Sequence, residues 1–205
     1  MSDTHTITSG PAGTAHPPTH QGRPGAPAAR AGWPVRLVYA VKRGYYQLKY
    51  RRLTLGTGVQ IRGRIRLRRG VRVVIGDRCR INKLVRFAGP GQVTVGPDSL
   101  LNGSWIGCWS EVRIGAWCLL SDCQLVDNDF HHVSPQRRHE PPGPDTRAPI
   151  VVDRNVWIGA GALVLKGVHI GTDSVVGAAT VVRSDVPARC VVIGNPQQVV
   201  KRFDV

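Results

Sequence analysis

The sequence contains little of what builds a helical bundle or a secreted protein. Only 6% of its 205 residues are aromatic and one is methionine, whereas 24 are glycine and 15 are proline. This composition favours a turn-rich chain over a helical bundle. The N-terminus has neither the basic start nor the apolar run of a secretory signal, so no signal peptide is expected.

Cysteine is scarce and lacks the spacing of a metal site. The five cysteines, Cys79, Cys108, Cys118, Cys123 and Cys190, form an odd set without a repeated short interval. Buried free thiols in a reducing cytoplasm are therefore predicted, and no metal ligand set is predicted.

Acidic residues are almost missing from one long segment. Residues 34–86 hold sixteen Lys or Arg against the single acid Asp77, while residues 1–33 sum to +1 and residues 87–205 to −1. Such a concentrated field attracts anionic lipid, polyanionic saccharide or phosphorylated substrate. No helix-turn-helix, zinc-knuckle or RNA-recognition signature is present, so no specific nucleic acid partner is expected.

What the sequence does have is an aliphatic residue at every sixth position of its C-terminal half. These positions are Val152, Ile158, Val164, Ile170, Val176 and Val182. Small or β-branched residues follow four positions later, at Val156, Ala162, Val168, Ser174, Thr180 and Val186. Helices repeat every three or four residues and strands every two, so a period of six predicts a solenoid of short strands and turns.

The same period extends back to Leu55, which gives about six coils of three hexads each. In the third coil it places Trp105 and Glu111 at inward-type positions. The arginines of the first coil fall outside the inward positions and should form an exposed basic face: Arg62, Arg64, Arg66, Arg68 and Arg69.

Two segments precede the solenoid. Residues 1–32 are rich in Pro, Gly and Ala, and too apolar-poor to offset their ordering entropy, so they are expected to be disordered. Residues 33–54 are predicted to form a basic amphipathic helix, too short and too charged to span a membrane, with one apolar face: Val38, Val41, Tyr45 and Leu48. That face either caps the first coil or rests on an anionic membrane surface, with residues 34–86 supplying the charge.

Four motifs carry a family resemblance: Asn155-Val156-Trp157-Ile158-Gly159, Gly167-Val168-His169-Ile170-Gly171, Val176-Gly177-Ala178-Ala179-Thr180-Val181-Val182 and Gly194-Asn195-Pro196. They resemble the hexapeptide-repeat acyltransferases, above all the maltose, galactoside and exopolysaccharide O-acetyltransferases. The resemblance implies a left-handed parallel β-helix over residues 55–195, an all-β fold, a homotrimer and acetyl-CoA as the donor. It also implies a part in polysaccharide biosynthesis. The protein is expected in the cytoplasm, and its basic N-terminal half suggests a position peripheral to the inner membrane face.

The period breaks at one long loop, residues 127–151, where function is expected. Transfer of an acetyl group to a hydroxyl needs a base, and His131 stands at the interval and in the Asp-Phe-His context of the family's catalytic histidine; His132 ranks second. By the same resemblance Asn102 matches an asparagine that contacts the acceptor. Asp129 is a candidate either for orienting the imidazole or for binding an acceptor hydroxyl, and Arg138 is a candidate for shaping the acceptor pocket.

The resemblance also assigns a donor site along the later coils. Trp157, Ala160 and Ala178 match positions lining the pantetheine path, and Arg183 and Lys201 match positions near the nucleotide phosphates. Residues 196–205 are expected to form a short C-terminal helix.

Three readings of the function follow from these residues. The first is an acetyl-CoA-dependent O-acetyltransferase acting on a sugar or saccharide hydroxyl. The alternatives are a metal-dependent hydratase of the γ-carbonic-anhydrase type and a non-catalytic polyanion-binding scaffold. The acceptor itself, and the choice between a hydroxyl and an amine, are not predicted.

Overall fold

The computed structural model describes residues 32–204. The predicted disordered tail, residues 1–32, lies outside the described residues except for Gly32.

One helix and a succession of short strands make up the described chain. In order they are α1 Trp33–Lys49, β1 Leu53–Leu55, β2 Gln60–Ile61, β3 Arg64–Arg68, β4 Arg72–Ile75, β5 Arg80–Asn82, β6 Leu84–Ala88, β7 Gln92–Val95, β8 Leu100–Asn102, β9 Trp105–Gly107, β10 Glu111–Ile114, β11 Leu119–Ser121, β12 Gln124–Val126, β13 Ile150–Val152, β14 Trp157–Ile158, β15 Leu163–Leu165, β16 His169–Ile170, β17 Val175–Val176, β18 Val181–Val182, β19 Cys190–Ile193 and β20 Gln198–Arg202. Two single-turn 3₁₀ helices, Pro135–Arg137 and Pro144–Thr146, lie between β12 and β13.

The strands stack into three parallel sheets that form the sides of a prism. The first sheet has the order β1-β4-β7-β10-β13-β16, the second β2-β5-β8-β11-β14-β17-β19-β20 and the third β3-β6-β9-β12-β15-β18. Every third strand thus lies on the same side, which gives six complete coils, and β19 begins another. The predicted left-handed parallel β-helix is confirmed.

The core is a column of aliphatic side chains inside the prism. All the hexad residues from Val152 to Val182 are at most 2% exposed, and the small residues that follow them are at most 3% exposed. In the third coil, however, the predicted register is wrong: Ile106 and Val112 are fully buried, and Trp105 and Glu111 point outward. Ile106 follows the buried Leu101 after five residues because the corner between β8 and β9 is one residue shorter.

All five cysteines are free and buried in this column. Burial, which disfavours the thiolate, raises the pKa of Cys79, Cys118 and Cys123 to about 11. The pKa of Cys108 is raised further, by burial first and then by the charge of Asp127.

Helix α1 lies against β1 and β2, but the predicted apolar face does not make the contact. Tyr46 is its one buried residue, and its hydroxyl accepts a hydrogen bond from Ile65 N–H at 3.2 Å. Lys42 Nζ donates to Ile61 O at 3.1 Å from the same side. The apolar face predicted from the sequence is exposed, so the helix covers the first coil with its other face. Within residues 32–204 no helix has the length and apolarity to cross a bilayer.

The predicted C-terminal helix is wrong, because Gln198–Arg202 forms strand β20. This strand pairs antiparallel with β19, the last parallel strand of the second sheet, and extends that sheet by one strand. An open sheet edge leaves unpaired backbone groups, and β-branched Val199 and Val200 favour the extended chain that satisfies them. Both valines are exposed, so they do not pack back onto the core.

The basic face of the first coil is confirmed. Each of its five predicted arginines is exposed, and three of them alternate along β3 with inward side chains.

Candidate functional site

The long loop leaves the prism at the corner between the third and first sheets, and its two ends are clamped together. Asn128 forms an antiparallel bridge with Arg147, while Asp129 N–H donates to Thr146 O at 2.9 Å and Ala148 N–H to Asp127 O at 3.0 Å. The loop base is therefore a short two-stranded ribbon.

Asp127 fixes that base to the coil below. Its fully buried carboxylate accepts hydrogen bonds from the backbone N–H groups of Trp109 and Ser110, both at 2.7 Å. Backbone donors are the natural partners of a buried carboxylate that has no cation beside it. The loop thus starts from a point held rigidly to the preceding corner.

A tight turn around Phe130 presents the next residue to solvent. Phe130 has a φ of 62°, a left-handed conformation that is strained for a bulky side chain. Asn128 Oδ1 accepts from Phe130 N–H at 2.9 Å, and His131 N–H donates to Asp129 O at 2.7 Å. The Phe130 ring packs edge-on against Trp109, 4.9 Å between centroids. Strain held in place by such contacts is typical of functional loops.

The two adjacent histidines have different environments. His132 is 5% exposed, with Nδ1 at 3.3 Å from Asp145 Oδ2 and Nε2 at 3.1 Å from Pro141 O. Both of its ring nitrogens are therefore occupied. His131 is exposed, and its ring has no hydrogen bond to another residue of the described chain, so it alone is available to a ligand.

The other acceptor candidates of the loop have partners of their own. The carboxylate of Asp129 forms an ion pair with Lys166 Nζ from the end of β15, so it ties the loop to the next coil rather than to the His131 imidazole. Arg138 is exposed, and its Nη2 donates to Val133 O at 3.2 Å.

Asn102 lies at a different corner of the prism. It ends β8, in register with Asn82 and Ser121, where the second sheet turns into the third. His131 follows the third sheet, so the two residues lie at different corners of the same chain.

The five donor candidates group on the later coils. Trp157 is 51% exposed on the outer face of the second sheet, between Leu119 and Val175. Ala160 and Ala178 are exposed at the same corner as Asn102, and Ala160 O accepts from Ala179 N–H at 2.8 Å. These methyl side chains leave the backbone open to a thin ligand.

The two cationic candidates lie nearer the C-terminus. Arg183 Nη2 donates to Asn195 Oδ1 at 3.0 Å, and Lys201 Nζ lies 5.3 Å from the Phe203 ring centroid. Both side chains are exposed.

Sequence reasoning assigned no role to Asp127 or Lys166, although both hold the loop. An acid directly after a buried strand, at a corner, was a usable signal for Asp127. Lys166 carried no signal, because its partner Asp129 is 37 residues away and meets it only through coil stacking. No group of three or more His, Cys, Asp or Glu that could hold a metal ion occurs among residues 32–204.

Comparison with known sequences finds acetyltransferases but no matching family model. A galactoside O-acetyltransferase of Lactococcus lactis is 33% identical over 95 residues, 46% of this chain and 45% of that protein. A 2,3,4,5-tetrahydropyridine-2,6-dicarboxylate N-acetyltransferase of Clostridium perfringens is 46% identical over 61 residues, 30% of this chain and 26% of that protein. The chain spans less than half the length of these curated relatives.

Solved structures share the fold. A variant of AntD, an N-acyltransferase from Bacillus cereus in complex with dTDP-4-amino-4,6-dideoxyglucose and coenzyme A, superposes with a TM-score of 0.64 at 18% identity, over 78% of this chain and 90% of that chain. The polysialic acid O-acetyltransferase OatWY gives 0.62 at 22% identity, over 73% and 74%. At these identities the likeness concerns the fold.

Replacing Asp127 by Asn tests the loop clamp. An amide oxygen can accept one of the two N–H bonds, but the amide nitrogen then faces the other donor, so we expect a loss of about 2–3 kcal/mol in the free energy of unfolding. Urea denaturation measures it. The matched control is Asp185→Asn, because Asp185 is exposed and accepts one backbone bond, from His169 N–H at 2.8 Å. Equal losses in both variants would contradict the clamp.

Proposed function

We propose that this hexapeptide-repeat β-helix protein, whose curated relatives are acetyltransferases, transfers an acetyl group from acetyl-CoA to a hydroxyl of a saccharide. The observation that carries the proposal is the free, exposed imidazole of His131 at the tip of a braced turn. The C-terminal motifs and the fold shared with coenzyme A complexes support the choice of donor.

In the proposed reaction His131 acts as general base. Its neutral imidazole takes the proton of the acceptor hydroxyl as the oxygen attacks the thioester carbonyl carbon. The tetrahedral intermediate then collapses, the C–S bond breaks, and the imidazolium returns the proton to the departing thiolate. The products are the acetyl ester and free CoA, and the histidine regains its starting form.

The donor in this proposal runs past Trp157, Ala160 and Ala178, with Arg183 and Lys201 available to its phosphates. His131 belongs to a different corner of the same chain, so one chain does not hold both halves of the site. A second copy that sets its His131 corner beside the donor corner would complete it, which supports a homotrimer of ring symmetry.

An amine acceptor is the second candidate. One curated relative is an N-acetyltransferase, and AntD is an N-acyltransferase solved with an amino sugar nucleotide. The same base and donor path serve either nucleophile, so product analysis by mass spectrometry and alkaline lability separates an ester from an amide.

We also propose that helix α1 rests on an anionic membrane surface. Its outward face carries six large apolar side chains that are 53% to 85% exposed: Trp33, Leu37, Val38, Val41, Tyr45 and Leu48. Residues 33–52 hold six Lys or Arg and no acid. An apolar face flanked by cations is the pattern of an interfacial helix, and anionic lipid supplies the complementary charge.

Replacing His131 by Ala removes the proposed base. We expect acetyl transfer to a panel of saccharides to fall by about 10²- to 10⁴-fold, with CoA affinity unchanged by calorimetry. His139→Ala, at an exposed histidine of the same loop, is the control and should keep wild-type turnover. Near-normal turnover in the His131 variant would contradict the assignment of His131 as the general base.

A mixing experiment tests the shared site. Ala178→Trp places a large ring on the donor path at an exposed position, and His131→Ala removes the base; each variant alone should be inactive. In randomly mixed trimers about a quarter of the interfaces pair an intact base with an intact donor corner, so about a quarter of wild-type activity should return. Mixed oligomers no more active than their parents would mean that each chain acts alone.

Vesicle co-sedimentation tests the helix. Changing Leu37, Val41 and Leu48 to Ser should abolish binding to vesicles containing phosphatidylglycerol, and added salt should weaken wild-type binding. The control changes three exposed valines elsewhere, Val74, Val199 and Val200, to Ser. Unaltered vesicle binding, with a change in oligomeric mass for the helix variant, would show instead that another copy of the chain covers this face.

A further inference from the structure

The outer face of the third sheet carries a cleft of about 310 Å³ beside the His131 loop. We call it the arginine cleft; its lining is Arg66, Arg68, Arg69, Arg86, Phe87, Ala88, Trp105, Trp109 and Phe130. Phe130 directly precedes His131, so the cleft opens next to the proposed base.

Strand register builds this cleft. Arg66, Arg86 and Trp105 are partners across β3, β6 and β9, which places their outward side chains side by side. Two residues further along the same strands, Arg68 is the partner of Ala88, and Ala88 is the partner of Gly107. Only the first of these three positions has a long side chain, so a hollow forms above the other two. The Trp105 ring lies over Gly107, where an added Cβ would be only 3.0 Å from it, so a side chain at this position would crowd the ring.

The charges in the cleft are uncompensated. None of its four arginines forms an ion pair or a side-chain hydrogen bond with any residue in the range 32–204. Elsewhere stacked coils pair their charges, as in Arg78 with Asp98 and Lys83 with Asp122, both at 2.6 Å. Like charges opposite each other across strands are destabilising, so Arg66 beside Arg86 is an arrangement that an anion would relieve.

Aromatic rings supply the rest of the lining. Trp109 and Phe130 meet at 80°, and the Arg69 guanidinium carbon lies 5.8 Å from the Trp109 ring centroid. The flat apolar face of a sugar ring packs well on such rings, while guanidinium groups bind phosphate or carboxylate in a bidentate manner. Together the lining suits a sugar that carries an oxyanion.

The cleft continues toward helix α1. A second hollow, of about 300 Å³, is lined by Lys49, Tyr50, Arg51, Arg52 and the first-coil segment Leu67–Val71. It shares Arg68 and Arg69 with the arginine cleft, so cationic side chains run without a break from the end of α1 to the His131 loop.

We propose that the arginine cleft binds the oxyanion of an acidic saccharide, a phosphate ester or a carboxylate, and holds its sugar ring beside His131. Its role as the acceptor site rests on the proposed function, whereas its anion binding does not. The phosphates of CoA are the competing anion. The cleft lies on the first three coils and the proposed donor path on the last two complete coils, so the acceptor is the better occupant.

Calorimetry with glucose 1-phosphate, glucuronate and glucose as probes tests the proposal. Both acidic sugars, or one of them, should bind the full chain, and neutral glucose at least about ten-fold more weakly. The double variant Arg66→Gln with Arg86→Gln should weaken acidic-sugar binding at least about ten-fold. The matched control, Arg64→Gln with Arg72→Gln, removes two exposed arginines outside the cleft and should change it less than about two-fold.

The preferred probe identifies the oxyanion as phosphate or carboxylate. Equal weakening in both double variants, or no preference of the wild type for acidic sugars, would overturn the proposal in favour of a diffuse field. Competition between CoA and the acidic sugar would overturn it in favour of a donor site. His131→Ala should bind the acidic sugars as the wild type does, so a failure of acetyl transfer and a failure of this cleft are seen separately.

Discussion

The structure depends on backbone hydrogen bonds that stack one corner of the prism on the next. At the corner between the first and second sheets, residues of six successive coils have positive φ: Arg78, Asp98, Trp117, Asn155, Asp173 and Arg189. Each donates its N–H to the corner below, as Trp117 does to Pro97 O at 3.0 Å. The left-handed conformation is unfavourable for non-glycine residues, but here every strained residue gains a bond that also aligns the next strand. These corners therefore set the strand register, and the register decides which outward side chains lie beside each other in successive coils.

The six-residue period was sufficient to predict a solenoid of short strands, because it reports which side chains enter the prism, whereas the left-handed parallel form was implied by the family resemblance. The sequence-based prediction failed where local backbone geometry determined the structure. The corner before β9 is one residue short, which moved the third-coil register from Trp105 to Ile106. At the C-terminus a helix was expected after Gly194-Asn195-Pro196, but the open edge of β19 provided a pairing partner that no local pattern reveals. In α1 the sequence predicted the apolar face but left its direction open; it does not cap the first coil, because Tyr46 and Lys42 on the other side of the helix bond to backbone groups there.

The sequence located the loop of the site but not its internal contacts. The family resemblance ranked His131 above His132, but the physical difference between them arises from Asp145 and Pro141, which fold back to occupy only the ring of His132. The arginine cleft could have been found from the sequence, since Arg66 and Arg86 are a coil apart and therefore stack. The sequence pattern could not predict the aromatic side of the cleft. That side depends on the contact between Trp109 and Phe130, which comes from the loop.

A rigid prism restricts where specificity can arise. Inward positions must remain aliphatic and corner positions must keep their bonds, so variation is confined to outward side chains and to the single long loop. Here those two elements meet, because the loop emerges at the corner beside the outward arginines of β3 and β6. The positive charge continues from these arginines to the end of α1, because the second hollow shares Arg68 with the cleft and is also lined by Lys49, Arg51 and Arg52. The arginine cleft and the proposed membrane helix therefore share one region of positive charge. The uncompensated charge is then a single feature that attracts both the membrane and the acceptor.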